Sequence, residues 1–437
     1  MRLGGWGRYP LLDAEVEAPR GAQEAAAQLH RLAASGRNTI ARGMGRSYGD
    51  SALQDHVLST RHLDHFLDFD RSNGHITVQA GVTLAEIIAL TLPQGWFPAV
   101  TPGTQYVSVG GAIAADVHGK NHHVDGSFGR HLLWLRLLTA GGDIVRCGPE
   151  ENAGLFAATC GGMGLTGVVL EACLRLRPVR SNQIEHVTHR ARNLDQVLEL
   201  FSEHSAATYS VAWIDCLARG PRLGRSLLMV GEHAAEGALT AEPSGGPAVP
   251  DLVPSALLSR WSIGAMNALY YSRGSARPRK ERIGYRPYFY PLDALRDWNR
   301  LYGRNGFLQY QLVVPVGADG RDALHRVLRT IADSGRGSFL AVLKQFGPAN
   351  GNLLSFPMEG YTLALDFKVE PAVFELLDRL DDIVGGAGGR VYLCKDARLK
   401  AAAARRMYPR WDAFQAVRAR VDPQRLFASR QSARLEL

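Results

Sequence analysis

TPGTQYVSVGGAIAADVHGKNHHVDGSFGRH, residues Thr101 to His131, sets backbone-permissive glycines around a polar segment rich in histidine. Glycine lets the main chain approach a ligand closely and turn several N–H groups toward one anion, which a bound pyrophosphate needs and a plain turn does not. Upstream, the stretch ARGMGRSYGD from Ala41 to Asp50 supplies a second cluster able to close on the same ligand. There Gly43, Met44, Gly45, Arg46 and Ser47 offer main-chain N–H groups, and the Ser47 hydroxyl adds a donor. A strand-to-strand turn would account for the first cluster alone. Two such clusters read together as a cofactor cradle.

Working outward, Ala22 to Ala34 reads as a helix and Asn38 to Arg42 as a strand running into the 41–50 loop. A Rossmann unit would carry Gly-x-Gly-x-x-Gly straight into a long helix, whereas here Tyr48 holds the third glycine position and the following DSALQDHVLST is strand-like. The dinucleotide fold of that type is therefore disfavoured. Ser72-Asn73-Gly74 is a turn signal between two strands, LDFD and HITVQA. Thr83-Leu-Ala-Glu86 is a capping box that starts a helix reaching about Leu92. Short strands and helices alternate to Pro178, with Gly161 to Gly164 leading into the buried strand TGVVLEACLRL.

From Val179 to Gly389 the strands lengthen: YSVAWIDC, SLLMVGE, FLQYQLVVPV, SFLAVLKQF and YTLALDFKV, with helices over Arg321–Ser334 and Pro371–Val384. That pattern predicts an antiparallel sheet with helices on one face, a substrate domain beside the cofactor domain. Within it, residues 251–282 pair an apolar run with Arg273, Arg277, Arg279, Lys280 and Arg282, which suits a flexible lid, an interfacial membrane segment or a solvated surface loop alike. After Gly385 to Gly389 a short strand over Val391–Leu393 precedes helix to about Val421.

Composition narrows the function class. A chain of 437 residues implies two or three domains, and 46% hydrophobic with 21% charged residues is ordinary for a folded enzyme. The net charge of +8 is spread along the chain with no nucleic-acid motif, so no nucleic-acid partner is expected. Cys147, Cys160, Cys173, Cys216 and Cys394 form no C-x-x-C pair, which argues against a zinc site or a disulfide framework. His118, His122 and His123 lie close together but lack a carboxylate ligand motif, so no metal is expected. The N-terminus has no apolar leader and no long apolar run occurs, so the expected location is cytoplasmic, with peripheral contact at the inner face of a membrane.

The two glycine clusters together resemble the vanillyl-alcohol-oxidase (VAO)/PCMH superfamily of FAD-dependent oxidoreductases. VGGAIAADVHGKNHHVDGSFG, with VLKQFGP (Val342 to Pro348) and YLCKDAR (Tyr392 to Arg398), is similar to the flavin subunits of decaprenylphosphoryl-β-D-ribose 2′-epimerases from about Arg42 onward. The resemblance implies an α+β, two-domain VAO/PCMH-type fold: an FAD-binding domain over 1–178, a substrate domain over 179–389, and a segment 390–437 returning to the FAD domain. It implies FAD contacts from Ala41, Arg42, Gly43, Met44, Gly45, Arg46, Ser47, Tyr48, Gly49 and Asp50 in the first loop. In the second it implies contacts from Gly103, Ser108, Val109, Gly110, Gly111, Ala115, Asp116, Val117 and His118, joined by Val168 and Tyr392. No histidine stands near Arg46, where many superfamily members attach the flavin covalently, so non-covalent FAD is expected.

Lys395 aligns with an active-site lysine of the resembled family. Alcohol oxidation takes a hydride from carbon while the hydroxyl proton leaves, and a cation there can orient the hydroxyl, or act as base if burial lowers its pKa. Without the resemblance, Lys395 would read as a surface lysine paired with Asp396. His118 and Tyr48 are the other catalytic candidates, although a lone histidine is commonly structural; His122 and His123 read as loop-holding. Lys120, Gln311, Lys344 and Lys395 are the candidate substrate contacts. One departure stands out: mycobacterial members carry a cysteine two residues before the Asp-Phe pair of a substrate-domain strand, and this chain has Ala364 before Asp366-Phe367. The expected reaction is oxidation of the 2′-hydroxyl of a polyprenylphosphoryl-β-D-ribofuranose to the 2′-keto compound, which a separate short-chain NAD(P)H-dependent reductase then converts to the arabinose epimer for cell-wall arabinan. An alditol or aldonolactone oxidase using oxygen, or an oxidase of another ribose-bearing substrate, is the alternative.

Overall fold

Asp70 shapes the turn at Ser72-Asn73-Gly74: its carboxylate accepts the Ser72 N–H at 2.9 Å and the Asn73 amide at 2.7 Å. Gly74 takes φ +66°, and the strands Phe66–Asp70 and His75–Gln79 run back antiparallel from it. The structure is a computed structural model describing residues 1–242, 245–250, 260–275, 277–338 and 340–437. Thr83 caps the helix Leu84–Thr91 through its hydroxyl, which accepts the Glu86 N–H at 3.3 Å, while the Glu86 carboxylate accepts the Thr83 N–H at 2.8 Å.

The hairpin joins a sheet ordered Ile144–Cys147, Leu132–Leu138, Val168–Pro178, His75–Gln79, Phe66–Asp70. Val168–Pro178 is central, paired on both sides, and its near-continuous burial explains its Val/Leu-rich sequence. Thr39–Arg42 and Glu15–Glu17 flank His56–Ser59 in a parallel sheet. Of the strand-like 50–60 stretch, only His56–Ser59 is therefore strand, and the loop before it carries the first glycine cluster.

An eight-stranded antiparallel sheet follows, ordered Arg279–Gly284, Gln183–Ala191, Ser226–His233, Tyr209–Ile214, Ala341–Phe346, Gly360–Lys368, Phe307–Pro315, Arg390–Val391. The helices Ala318–Ser334 and Pro371–Gly386 pack on one face, the first burying Leu324, Val327, Leu328 and Ile331 at helical spacing. Tyr310 reaches through that face to give a hydrogen bond to Asp381 at 3.0 Å.

Two readings of the sequence change here. Residues 251–259 and 276 of the apolar-basic segment lie outside the described residues. Of the rest, Arg260–Ser272 is helix and Arg279–Gly284 is an edge strand paired to Gln183–Ala191. Lys280 pairs with Glu185 at 3.3 Å and Arg279 with Glu281 at 2.8 Å, so this basic run is sheet edge rather than loop. Lysine and arginine on an edge strand discourage a second chain from adding to it.

The expected strand at Val391–Leu393 is only Arg390–Val391; the chain then turns at Tyr392 to Asp396, the Tyr392 carbonyl accepting the N–H groups of Lys395 at 3.0 Å and Asp396 at 3.1 Å. The helices Ala401–Met407 and Trp411–Val421 lead to Asp422, which accepts the N–H groups of Leu426 and Phe427. That turn lays Phe427 beside Thr39 in a parallel bridge, extending the Thr39–Arg42 strand on its open side. Arg434 then pairs with the buried carboxylates of Asp50 at 2.8 Å and Asp396 at 2.9 Å, locking the first glycine loop to the Lys395 turn.

Candidate active site

A cavity of about 310 Å³ lies where the two glycine clusters meet the eight-stranded sheet, on the face opposite the helices Ala318–Ser334 and Pro371–Gly386. The first cluster contributes Ala41 and Gly43 to Tyr48 to the wall; the second contributes Gly103, Ser108, Gly110, Gly111, Ala115, Val117 and His118. The sheet adds Gln309, Gln311, Lys344, Ala364 and Asp366, and the C-terminal turn adds Tyr392, Cys394 and Lys395. Strand register explains the sheet side: Gln309 lies opposite Asp366, Gln311 opposite Ala364, and Ala364 opposite Val342. Residues two apart share a face, so these side chains point to the cavity while Tyr310 points to the helices.

The glycine clusters fit a pyrophosphate-bearing cofactor on two observations. The main-chain N–H groups of Gly43, Met44, Gly45, Arg46 and Ser47, in a half-buried loop on the cavity wall, find no acceptor among the described residues, a run of donors available to one anion. A Cβ on Gly43 would sit 2.1 Å from the Ser108 Oγ, so only glycine lets the two loops approach this closely. Ser108 itself caps the short helix Val109–Ala114, its hydroxyl accepting the Gly111 N–H at 3.3 Å. Arg46 stacks over Trp6 at 4.1 Å and faces Tyr106 at 5.5 Å, forming one end of the wall.

Two lysines, an aspartate and a histidine gather where the sheet, the second cluster and the C-terminal turn line the cavity. The Lys395 ammonium sits 3.7 Å from the centre of the Tyr48 ring and has no hydrogen-bond acceptor among the described residues. Burial lowers its pKa, against the opposing pull of Cys394 and Asp366. Lys344 is lowered to about 8, first by burial and then by repulsion from Lys395. Burial raises the Asp366 carboxyl to about 7, although hydrogen bonds from Gln309 and Tyr302 and attraction to Lys395 oppose the rise. His118 is held well below the usual imidazole range, by burial first and then by Lys344, His122 and Lys395. A neutral His118 accepts from the Gln311 amide at 2.9 Å through Nε2 and is enclosed by the rings of Phe346, Phe356 and Tyr392. The Tyr392 hydroxyl gives a 2.8 Å hydrogen bond to the Ala115 carbonyl, tying the C-terminal turn to the second cluster.

Comparison with known proteins gives this geometry a lineage. The FAD binding domain family matches residues 14–148, and the D-arabinono-1,4-lactone oxidase family matches residues 364–435. Decaprenylphosphoryl-beta-D-ribose oxidase of Mycolicibacterium smegmatis is 37% identical over 453 aligned residues, covering 100% of this chain and 97% of that protein. The chain belongs to the VAO/PCMH-type FAD-dependent oxidoreductases, in the decaprenylphosphoryl-β-D-ribose oxidase family. Its fold is accordingly α+β of that type, its cofactor is FAD, and it is an FAD-dependent oxidoreductase. An uncharacterized Streptomyces coelicolor protein is 37% identical, covering 82% of this chain and 100% of that one. L-gulono-1,4-lactone dehydrogenase of Mycobacterium tuberculosis is 24% identical over 98% of each chain.

Seven residues expected at the site lie off the cavity wall. Lys120 is the main correction: its ammonium donates to the Tyr288 carbonyl and lies 4.2 Å from the centre of the Tyr288 ring, away from the cavity. The chain turns at Gly119-Lys120-Asn121, so Lys120 does not share the side of His118. Arg42 donates to the carbonyls of Gly4 and Ala52, holding the N-terminal segment against the loop. Gly49 packs on the Asp396 carbonyl, where a Cβ would fall 1.9 Å away. Asp50 pairs with Arg434. Val109 and Val168 are fully buried core residues. Asp116 accepts from the Gly129 N–H at 2.8 Å and from Asn350, Asn352 and Ser355, a buried knot that fixes the second cluster from behind.

The histidines beside Lys120 hold the loop. His122 Nδ1 accepts the Gly347 N–H at 3.2 Å, and His123 Nε2 bonds the Ala207 carbonyl at 2.7 Å. Sequence reasoning missed Trp6, Trp298, Leu340 and Cys394 on the wall, and passed over Asp366 as a marker for its neighbour Ala364. Asp366 lies two residues beyond Ala364 on the strand and so shares its face.

Proposed function

We propose that this enzyme oxidises the 2′-hydroxyl of a polyprenylphosphoryl-β-D-ribofuranose to the 2′-keto compound. The observation that carries the substrate class is the pair of lysines, Lys344 and Lys395, which share the cavity without an acceptor of their own among the described residues and repel each other. Two such cations call for an anion, and a phosphodiester beside the oxidised sugar supplies it. The full-length likeness to an enzyme named for decaprenylphosphoryl-ribose supports the same reading.

Gly43 to Ser47, with Gly103, Ser108, Gly110 and Gly111 across from them, would hold FAD non-covalently; among the described residues His118 is the one histidine on the wall, and it stands in the other loop. Bound FAD supplies the two-electron acceptor for oxidation of a CH–OH group. Lys395 would donate to the hydroxyl being oxidised, Lys344 would hold the phosphodiester, and Gln311 with neutral His118 would fix the sugar ring. Tyr48 would cover the site with its ring beneath Lys395. Ala364 leaves the wall without the thiol that mycobacterial members carry there, and none of the hydrogen bonds that hold Asp366, Gln311 or His118 involves position 364.

The domain division 1–178, 179–389 and 390–437 is supported by the two separate antiparallel sheets and by the pairing of the last segment with Thr39, although its first residues, Arg390 and Val391, add an edge to the larger sheet. A separate short-chain NAD(P)H-dependent reductase would consume the keto product. No helix of the described residues is long and apolar enough to cross a membrane. A peripheral contact on the cytoplasmic face is supported by Trp261, Met266 and Leu269 on the helix Arg260–Ser272, exposed at 80%, 43% and 60%.

A second reading, oxidation of an alditol or aldonolactone with oxygen as acceptor, is favoured by the match of residues 364–435 to the D-arabinono-1,4-lactone oxidase family. Anaerobic absorbance separates the two. Polyprenylphosphoryl-ribose should bleach the oxidised flavin band at micromolar concentration while free alditols leave it unchanged. Bleaching by an alditol but not by the phosphoryl sugar selects the second reading.

A further inference from the structure

Oxidation of an alcohol must dispose of a hydroxyl proton, and the cavity wall narrows the candidates to take it. His118 commits its one lone pair to the Gln311 amide. Burial raises the Tyr48 phenol well above its usual range, so it stays protonated and offers no base. The face of the Tyr48 ring, 3.7 Å from the Lys395 ammonium, favours its charged form and so suits it to donating rather than accepting. Among the described residues Asp366 is the only carboxylate on the wall. One of its oxygens accepts from the Gln309 amide at 2.6 Å and the other from the Tyr302 hydroxyl at 3.3 Å, which fixes its plane and leaves lone pairs over. Lys395 attracts Asp366 through space but is not among its hydrogen-bond partners, so the two face the cavity as separate groups.

We propose that Asp366 accepts the hydroxyl proton of the alcohol oxidised in this cavity, while Lys395 holds the hydroxyl oxygen. The O–H bond breaks and its proton passes to a carboxylate oxygen of Asp366. The electron pair left on oxygen closes the C=O bond, and the C–H bond breaks with its pair leaving to FAD. This rests on the reading of the cavity as an alcohol-oxidising site and holds for a phosphoryl ribose or an alditol alike.

The charged and titratable groups around Asp366 are Lys395 from the C-terminal turn, Tyr302 from the 298–302 turn and Tyr48 from the first glycine loop; Cys394 and Lys344 stand beyond Lys395. Among them only Lys395 is charged near neutrality and adjacent, and it pulls the carboxyl down against burial. The balance near 7 suits a general base, which works best when its pKa lies close to the operating pH.

The test is single-turnover flavin reduction by whichever alcohol bleaches the wild-type flavin, followed across about pH 5.5 to 9 by anaerobic stopped flow. Wild-type reduction is expected to accelerate through an inflection near pH 7. Asp366→Asn should retain FAD, lose that inflection and reduce its flavin roughly 10²–10⁴-fold more slowly. Reduction of the variant within about threefold of wild type, with the inflection intact, overturns the proposal. Should Asp366→Asn fail to load FAD, infrared difference spectra of the wild-type holoenzyme decide. A protonated-carboxyl band that titrates with the same midpoint as the kinetic inflection supports Asp366, and absence of such a band overturns it. If no alcohol bleaches the wild-type flavin, the fault lies with the reading of the site, a failure visible before any variant is made.

Discussion

Lys395→Met is expected to slow anaerobic flavin reduction by roughly 10²–10³-fold, the range found when one preorganised charge-stabilising donor is removed from an active site. FAD should stay bound and the fold intact. The Lys395 ammonium donates to nothing among the described residues and rests on the face of Tyr48, so methionine abandons no protein acceptor. The stability effect has a definite sign. Burial lowers the Lys395 pKa below its unfolded value, so the native state binds that proton less tightly, and the cost is present below the native pKa and fades as pH rises through it. Methionine removes the cost throughout, and the melting temperature should hold or rise at neutral pH. The same substitution withdraws the attraction that lowers the Asp366 carboxyl, so any residual rate should inflect at higher pH than in wild type. Full turnover by Lys395→Met would remove this lysine from the chemistry.

Gly43→Ala should cost the protein its flavin. The added Cβ would lie 2.1 Å from the Ser108 Oγ, and Ser108 cannot swing away without surrendering the cap of the helix Val109–Ala114. Either Ser108 gives up that cap or the two clusters move apart. Strain of about 1–3 kcal/mol from such overpacking corresponds to roughly 5- to 150-fold weaker FAD binding, measured as flavin released on dialysis or by fluorescence titration of the apoprotein. Ser108→Gly in the same chain removes the obstructing side chain, at a small loss as glycine is a tolerated cap, and the double variant should recover most of the affinity. If Gly43→Ala binds FAD as wild type does, the close approach of these loops is not what seats the cofactor.

What the sequence disclosed was what local chemistry dictates. The Ser72-Asn73-Gly74 turn, the Thr83/Glu86 capping box and the helix Ala22–Ala34 depend on neighbours within a few residues, and all three are present. The glycine clusters were legible for the same reason. The strands Gln183–Ala191 and Arg279–Gly284 were not, because their polar, charged sequences alternate too weakly to mark a face and their pairing is set by partners far along the chain. Alternation put Gln309 and Gln311 on one face without saying which; that was decided by the helix Pro371–Gly386, whose Asp381 takes Tyr310 to the other side. Lys120 went astray because a single turn residue, Gly119, separates it from His118, and spacing along a sequence does not report a change of direction. Trp6 and Trp298 reach the wall only through tertiary packing, edge to face at 5.7 Å.

The position of the carbonyl in the product tests the central claim most directly. Enzyme, polyprenylphosphoryl-ribose and an artificial electron acceptor are incubated together, the product is reduced with borodeuteride, and the sugar is released and mapped by mass spectrometry and NMR. Deuterium is expected at C2′ alone, in a mixture of ribo and arabino epimers. Deuterium at another carbon, or none above the level of unreacted sugar, would contradict the claim.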